Sequence, residues 1–221
     1  FKGLYKEVLK VDVELPAGNS ADQRVIGTLA HAVMERFYGE RRRAGVPAAQ
    51  VTPADRRRVR ALLAEEAAPL LAGRATGHLG AIRAQIGWLE TALVRAVSML
   101  ARRPPVEDVE PVELELQVGV GSSRGPADWS AVPLKLSTET GGPRTVWLGG
   151  IIDRVDEGPG GRAVIDYKTS RSSKLKSKVR ADALFTKHFQ LLLYLRVLEH
   201  HRPTAPGTPL HGYLISLLDG T

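Results

Sequence analysis

The chain has 221 residues, 43% of them hydrophobic, and carries 31 Lys and Arg against 24 Asp and Glu, a net charge of +7. That is enough apolar chain to bury a full core and enough positive charge to suit a polyanionic partner. Cysteine is absent, which excludes disulfides, thiolate zinc sites and iron–sulfur clusters within this stretch, and no apolar run approaches the ~20 residues of a membrane span. We expect one domain, 1–221, made of a mostly helical part (1–105) and a sheet part (106–221). The start at Phe1 and the stop at Asp219-Gly220-Thr221 suggest a piece of a longer, soluble, cytoplasmic protein.

In chain order, Val25, Leu29, Val33 and Phe37 recur every four residues and predict a helix from Arg24 to about Arg43. Gly27, His31 and Glu35 form a second row on it, a glycine for close approach followed by an imidazole and a carboxylate. Thr52-Pro53-Ala54-Asp55 announces a second helix to about Leu71. A third covers about His78 to Arg102, with Ile82, Ile86, Leu89, Leu93, Val97 and Leu100 inward, and Pro104-Pro105 ends it.

After Pro111 the period becomes two. Val112, Leu114, Leu116, Val118 and Val120 alternate with Glu113, Glu115, Gln117 and Gly119, a strand with one apolar and one polar face. A loop from Gly121 to Trp129 follows, then a short edge strand around Pro133, which cannot serve a central strand. Further strands are expected at about Thr145 to Glu157 and Arg162 to Thr169. Next come a basic, serine-rich loop, a helix from about Ala181 to His201 and a last strand near Leu210 to Leu217. Helices, strands, helix, strand is an α+β layout with a central mixed sheet flanked by helices.

The two middle strands carry the chemistry. Asp153 and Asp166 lie thirteen residues apart, joined through the turn Gly158-Pro159-Gly160-Gly161, and Asp166 shares a strand face with Lys168. Two carboxylates and an ammonium in one small volume suit a hard cation and a ligand bound to it. Tyr167 alternates away, so its ring is expected to pack.

Four pieces in order, Gly27 to Glu35 around His31, Gly150 to Asp156, Asp166-Tyr167-Lys168-Thr169 and Gln190-Leu191-Leu192-Leu193-Tyr194, resemble the PD-(D/E)XK nuclease superfamily, most closely its RecB-like exonuclease branch. The resemblance implies a restriction-endonuclease-like core and a metal-dependent DNA exonuclease that works on single-stranded ends in recombination and repair, with a helicase domain or subunit as partner and the nucleoid as its place. It implies Mg²⁺ or Mn²⁺ held by His31, Asp153, Asp166, the Tyr167 carbonyl and a glutamate of the preceding strand. Glu115 is the candidate, because Glu115-Leu116-Gln117-Val118-Gly119 resembles that strand, with valine in place of an aromatic residue; Glu113 is its rival. The resemblance assigns Lys168 to the attacking water and the phosphate, and sets Gln190 and Tyr194 beside it.

Arg171, Lys174, Lys176, Lys178 and Arg180 of the basic loop are candidates to track DNA phosphates, each contact adding a salt-dependent increment. Members of the family with an iron–sulfur cluster place cysteines outside the span of this chain; Phe1 to Lys10 resembles the segment after the first of them. The competing functional reading is an inactive domain that grips DNA or scaffolds a partner, against which the intact Asp153, Asp166 and Lys168 speak. An unrelated metal or phosphate enzyme is a third. Trp88, Trp129 and Trp147 are expected to be buried or half-buried, and Asp156 to sit at a strand end beside the turn.

Overall fold

A computed structural model describes residues 18–72, 79–119, 125–136, 142, 144–170, 175 and 189–218. Its elements are α1 (Gly18–Arg43), α2 (Pro53–Ala72), α3 (Leu79–Arg102), β1 (Glu110–Val118), β2 (Val132–Leu136), β3 (Arg144–Leu148), β4 (Gly150–Gly158), β5 (Gly161–Lys168), α4 (Gln190–His201) and β6 (Leu210–Ser216). A four-stranded sheet runs in the order β1-β4-β5-β6, antiparallel except for the β5/β6 pair, which α4 connects as a crossover. The expected mixed sheet of an α+β fold is therefore present.

Two cores follow from the two faces of that sheet. On one, Leu29, Val33, Met34 and Phe37 of α1, Leu62 and Leu63 of α2, and Leu89, Leu93 and Val97 of α3 pack with Ile165, Tyr167 and Ile215. On the other, Leu191, Val197 and Leu198 of α4 pack with Leu116, Ile152, Val155 and Val164. Thr52 caps α2 as its sequence suggested: the Asp55 amide donates to Thr52 Oγ1, and Asp55 Oδ2 accepts from the Thr52 amide at 2.8 Å. Across the outer surface of α1 and α2, Arg36 pairs with Glu65 and Glu66, and Arg58 with Glu40 and Glu65. These exposed pairs orient neighbouring helices more than they stabilise them.

The structure corrects two local expectations and adds to a third. The strand foreseen from Thr145 to Glu157 is two strands, broken at Gly149: β3 pairs with β2 in a separate two-stranded sheet, while β4 joins the main one. Glycine is required at the break, because a Cβ at Gly149 would lie 2.8 Å from the Val118 carbonyl oxygen. Trp88 and Trp147 are exposed, at 51% and 65%, and only Trp129 is half-buried, stacked on His201 at 4.8 Å beneath the Arg202 guanidinium. Asp156 does lie near the end of β4 beside the turn, but it is buried there, at 1% exposed.

The β4/β5 turn is built as the sequence requires, with Gly158 opposite Gly161. Its glycines are needed for a reason sequence did not show: the 107–109 segment lies against them, so a Cβ on Gly160 would stand 1.9 Å from the Glu107 carbonyl oxygen. Gly160→Ala is therefore expected to lower stability by about 1–3 kcal/mol, as overpacking does. Urea unfolding reads this directly, and an unchanged midpoint would show that the turn yields.

Candidate metal centre

One end of the sheet, where β1 and β5 finish and β4 begins, gathers the chemical side chains. His31 reaches it from α1, Glu115 from β1, Asp153 from β4, Asp166 and Lys168 from β5, and Gln190 and Tyr194 from α4. His31 Nδ1 lies 3.3 Å from Glu115 Oε1 and 3.4 Å from Asp153 Oδ1. One ligand atom from each of these three residues falls within 4.8 Å of the others, the arrangement needed to share one ion.

Local backbone irregularity puts Glu115 there. An unbroken β1 would turn Glu113 and Glu115 to one face, but a bulge separates Pro111 from Glu113 and Glu115 itself has φ +47°, the left-handed region that a non-glycine residue rarely occupies. Alternation consequently fails. Leu114 sides with the helical core while Val112, Leu116 and Val118 pack towards α4. The two glutamates part company: Glu113 pairs with Arg202 beyond α4, and Glu115 meets His31. Strain of this kind clusters at functional sites.

Asp153 has two tasks. Oδ1 faces His31, and Oδ2 accepts the Tyr167 backbone N–H at 2.6 Å, in the stretch where β4 and β5 no longer pair, since their register ends at Arg154 opposite Ile165. The carboxylate thus holds open the fork between two strands. Burial alone would lower the His31 pKa, but hydrogen bonds and charge from Asp153 and Glu115 outweigh it and push it up to about 10. An imidazolium in this place marks an excess of negative charge that a divalent cation would neutralise.

Asp166 is 2% exposed and stands outside the three-residue cluster, with Lys168 Nζ 2.6 Å from its Oδ2. Burial raises its pKa, the Asp153 charge adds to this, and Lys168 partly offsets both. Lys168 Nζ is also 3.5 Å from Gln190 Oε1, and Gln190 Nε2 donates to the Tyr194 hydroxyl at 2.8 Å. Burial pushes the Tyr194 phenol up, so it stays protonated. The Tyr167 ring points into the helical core, 6.2 Å edge-on from His31. At Gly27 the close approach is ordinary: a Cβ would meet Thr169 Oγ1 at 3.7 Å. The basic loop candidates Arg171, Lys174, Lys176, Lys178 and Arg180 lie outside the described residues, as does the segment Phe1 to Lys10.

Beneath the centre lies a buried support that sequence reasoning missed. Arg154, 4% exposed, is bidentate to Asp156 (Nε–Oδ1 2.5 Å, Nη2–Oδ2 2.6 Å), donates to the Tyr167 hydroxyl at 3.3 Å and stacks 4.1 Å from the Tyr38 ring centre. Burial opposes its charge, and Tyr167 and Asp156 hold it. The signal was present, an opposite charge pair two residues apart on one strand face.

A divalent cation fits the donor set. Two carboxylates and one imidazole give it an oxygen majority. Comparison with known proteins agrees with the geometry. The chain is similar to an ATP-dependent helicase/deoxyribonuclease subunit of Desulforudis audaxviator (strain MP104C), 31% identical over 175 residues, which are 77% of this chain and 14% of that protein. The profile of the PD-(D/E)XK nuclease superfamily matches residues 4–218, taking in His31, the β4/β5 hairpin and the Gln190–Tyr194 helix in one span. With that match over nearly its whole length, the chain belongs to the PD-(D/E)XK nuclease superfamily.

Proposed function

We propose that this chain is a metal-dependent deoxyribonuclease domain that hydrolyses phosphodiester bonds at single-stranded DNA ends, acting as an exonuclease beside a helicase domain or subunit in recombination and repair. The observation that carries it is the meeting of His31, Glu115 and Asp153 next to the Asp166–Lys168 pair. The chain spans only 14% of its helicase/deoxyribonuclease relative, so a helicase partner and the bacterial nucleoid in the cytoplasm are part of the proposal. Among the described residues no helix is long and apolar enough to cross a membrane.

In this reading His31, Glu115, Asp153, Asp166 and the Tyr167 carbonyl would hold Mg²⁺ or Mn²⁺. The bound cation supplies Lewis acidity towards a phosphoryl oxygen and makes water more acidic. Lys168, tethered by Asp166 and Gln190, presents an ammonium to the scissile phosphate and orients the water beside it. Tyr194, held by Gln190, offers a neutral hydroxyl donor. The basic loop would follow the phosphates. Residues 1–221 would work as one domain.

Digestion of end-labelled single- and double-stranded DNA tests this, with Mg²⁺, Mn²⁺ or EDTA and with Asp166→Ala beside the wild type. Cleavage that needs the metal and Asp166 supports the proposal. Intact DNA of both kinds under every metal would leave an inactive DNA-gripping or scaffolding domain as the better reading.

A further inference from the structure

Past the end of β5, a cavity of about 630 Å³ opens between α1, α3 and the sheet, lined by Gln23, Ile26, Gln85, Trp88, Thr169, Ser170 and Leu218. Its size is that of a small-molecule site. Thr169 and Ser170 directly follow Lys168, and Thr169 touches α1 at Gly27, one turn before His31. The cavity is therefore lined by α1 and by the residues just past β5, the elements that carry His31 and Lys168. Its floor is fixed: the Leu217 amide donates to the Lys168 carbonyl at 3.0 Å, and Ser216 Oγ to the Ser170 carbonyl at 2.7 Å.

Among the described residues that line the cavity, none carries a charged side chain. It offers instead two amides, two hydroxyls and the indole of Trp88, left 51% exposed on a helix whose next residue, Leu89, is fully buried. A nucleobase has the complementary form, a flat π face to stack and an edge of donors and acceptors for amides. In a chain of net charge +7, phosphates have other places to go.

Resting on the nuclease reading, we propose that this cavity seats one unpaired nucleobase of the substrate strand, stacked on Trp88, next to the nucleotide whose phosphate is presented to Lys168. The site thereby selects strands whose bases are free to leave the stack. Duplex DNA enters only where it frays.

The test is anisotropy of labelled oligothymidylate and of the same strand carrying abasic positions, titrated with the whole chain in EDTA, for wild type, Trp88→Ala and Trp88→Phe. Trp88→Ala is expected to weaken binding of the normal strand by about 5- to 100-fold, the effect of one lost stacked base. Trp88→Phe should keep most of the affinity. The salt dependence should not change, since no phosphate contact is removed. Abasic strands should bind all three proteins with similar weakness. Trp88→Ala binding like wild type, or losing as much on abasic strands, overturns the proposal. Binding is read without cleavage, so an inactive protein showing this pattern removes the nuclease reading and keeps the base site, while an active one indifferent to Trp88 does the reverse.

Discussion

Asp153→Asn is expected to reduce metal-dependent cleavage by about 10³-fold while leaving the fold intact. The magnitude follows from the several kcal/mol that a correctly held cation contributes, at one decade of rate per ~1.4 kcal/mol. Asparagine keeps an oxygen for the Tyr167 N–H, which Asp153 Oδ2 accepts at 2.6 Å, but removes the charge that faces His31. Asp153→Ala should lose the same activity and, in addition, about 1–3 kcal/mol of stability, because a buried amide is left without its acceptor. Comparing the two variants by cleavage rate and by urea midpoint separates the chemical task of this carboxylate from its structural one. Equal activity of Asp153→Asn and wild type would remove Asp153 from the site.

Asp156→Ala should be the most destabilising single change, by about 3–5 kcal/mol, since it strands a buried guanidinium. Arg154 would keep only the Tyr167 hydroxyl and the Tyr38 ring. Replacing both partners by apolar residues, Arg154→Met with Asp156→Leu, is expected to recover most of the loss, because removing a buried pair whole is far milder than breaking it. Chemical denaturation of the single and double variants checks this. A double variant as unstable as Asp156→Ala would mean that the pair supports β4 and Tyr167 through its hydrogen bonds rather than by charge balance.

Much of this architecture was legible because the governing signals are local. The stripe of Leu29, Val33 and Phe37 defined α1, Thr52-Pro53 with Asp55 defined the start of α2, and the glycine turn after Gly158 joined β4 to β5. The hidden features depend on long-range packing. Nothing near Glu115 announces a left-handed residue in a strand, yet that one dihedral decides that Glu115, not Glu113, meets His31. The need for glycine at 149 comes from a distant carbonyl, that of Val118. Trp88 and Trp147 were expected to be buried or half-buried, as large aromatic rings usually are; both are exposed instead.

That His31, Glu115 and Asp153 together hold a divalent cation is tested most directly by electron paramagnetic resonance of Mn²⁺ titrated into the wild type, Glu115→Gln and His31→Ala. Saturable binding by the wild type is expected, weakened at least about tenfold in each variant, as loss of one ligand implies. Mn²⁺ bound equally by all three proteins, or by none, would contradict a centre built on these residues.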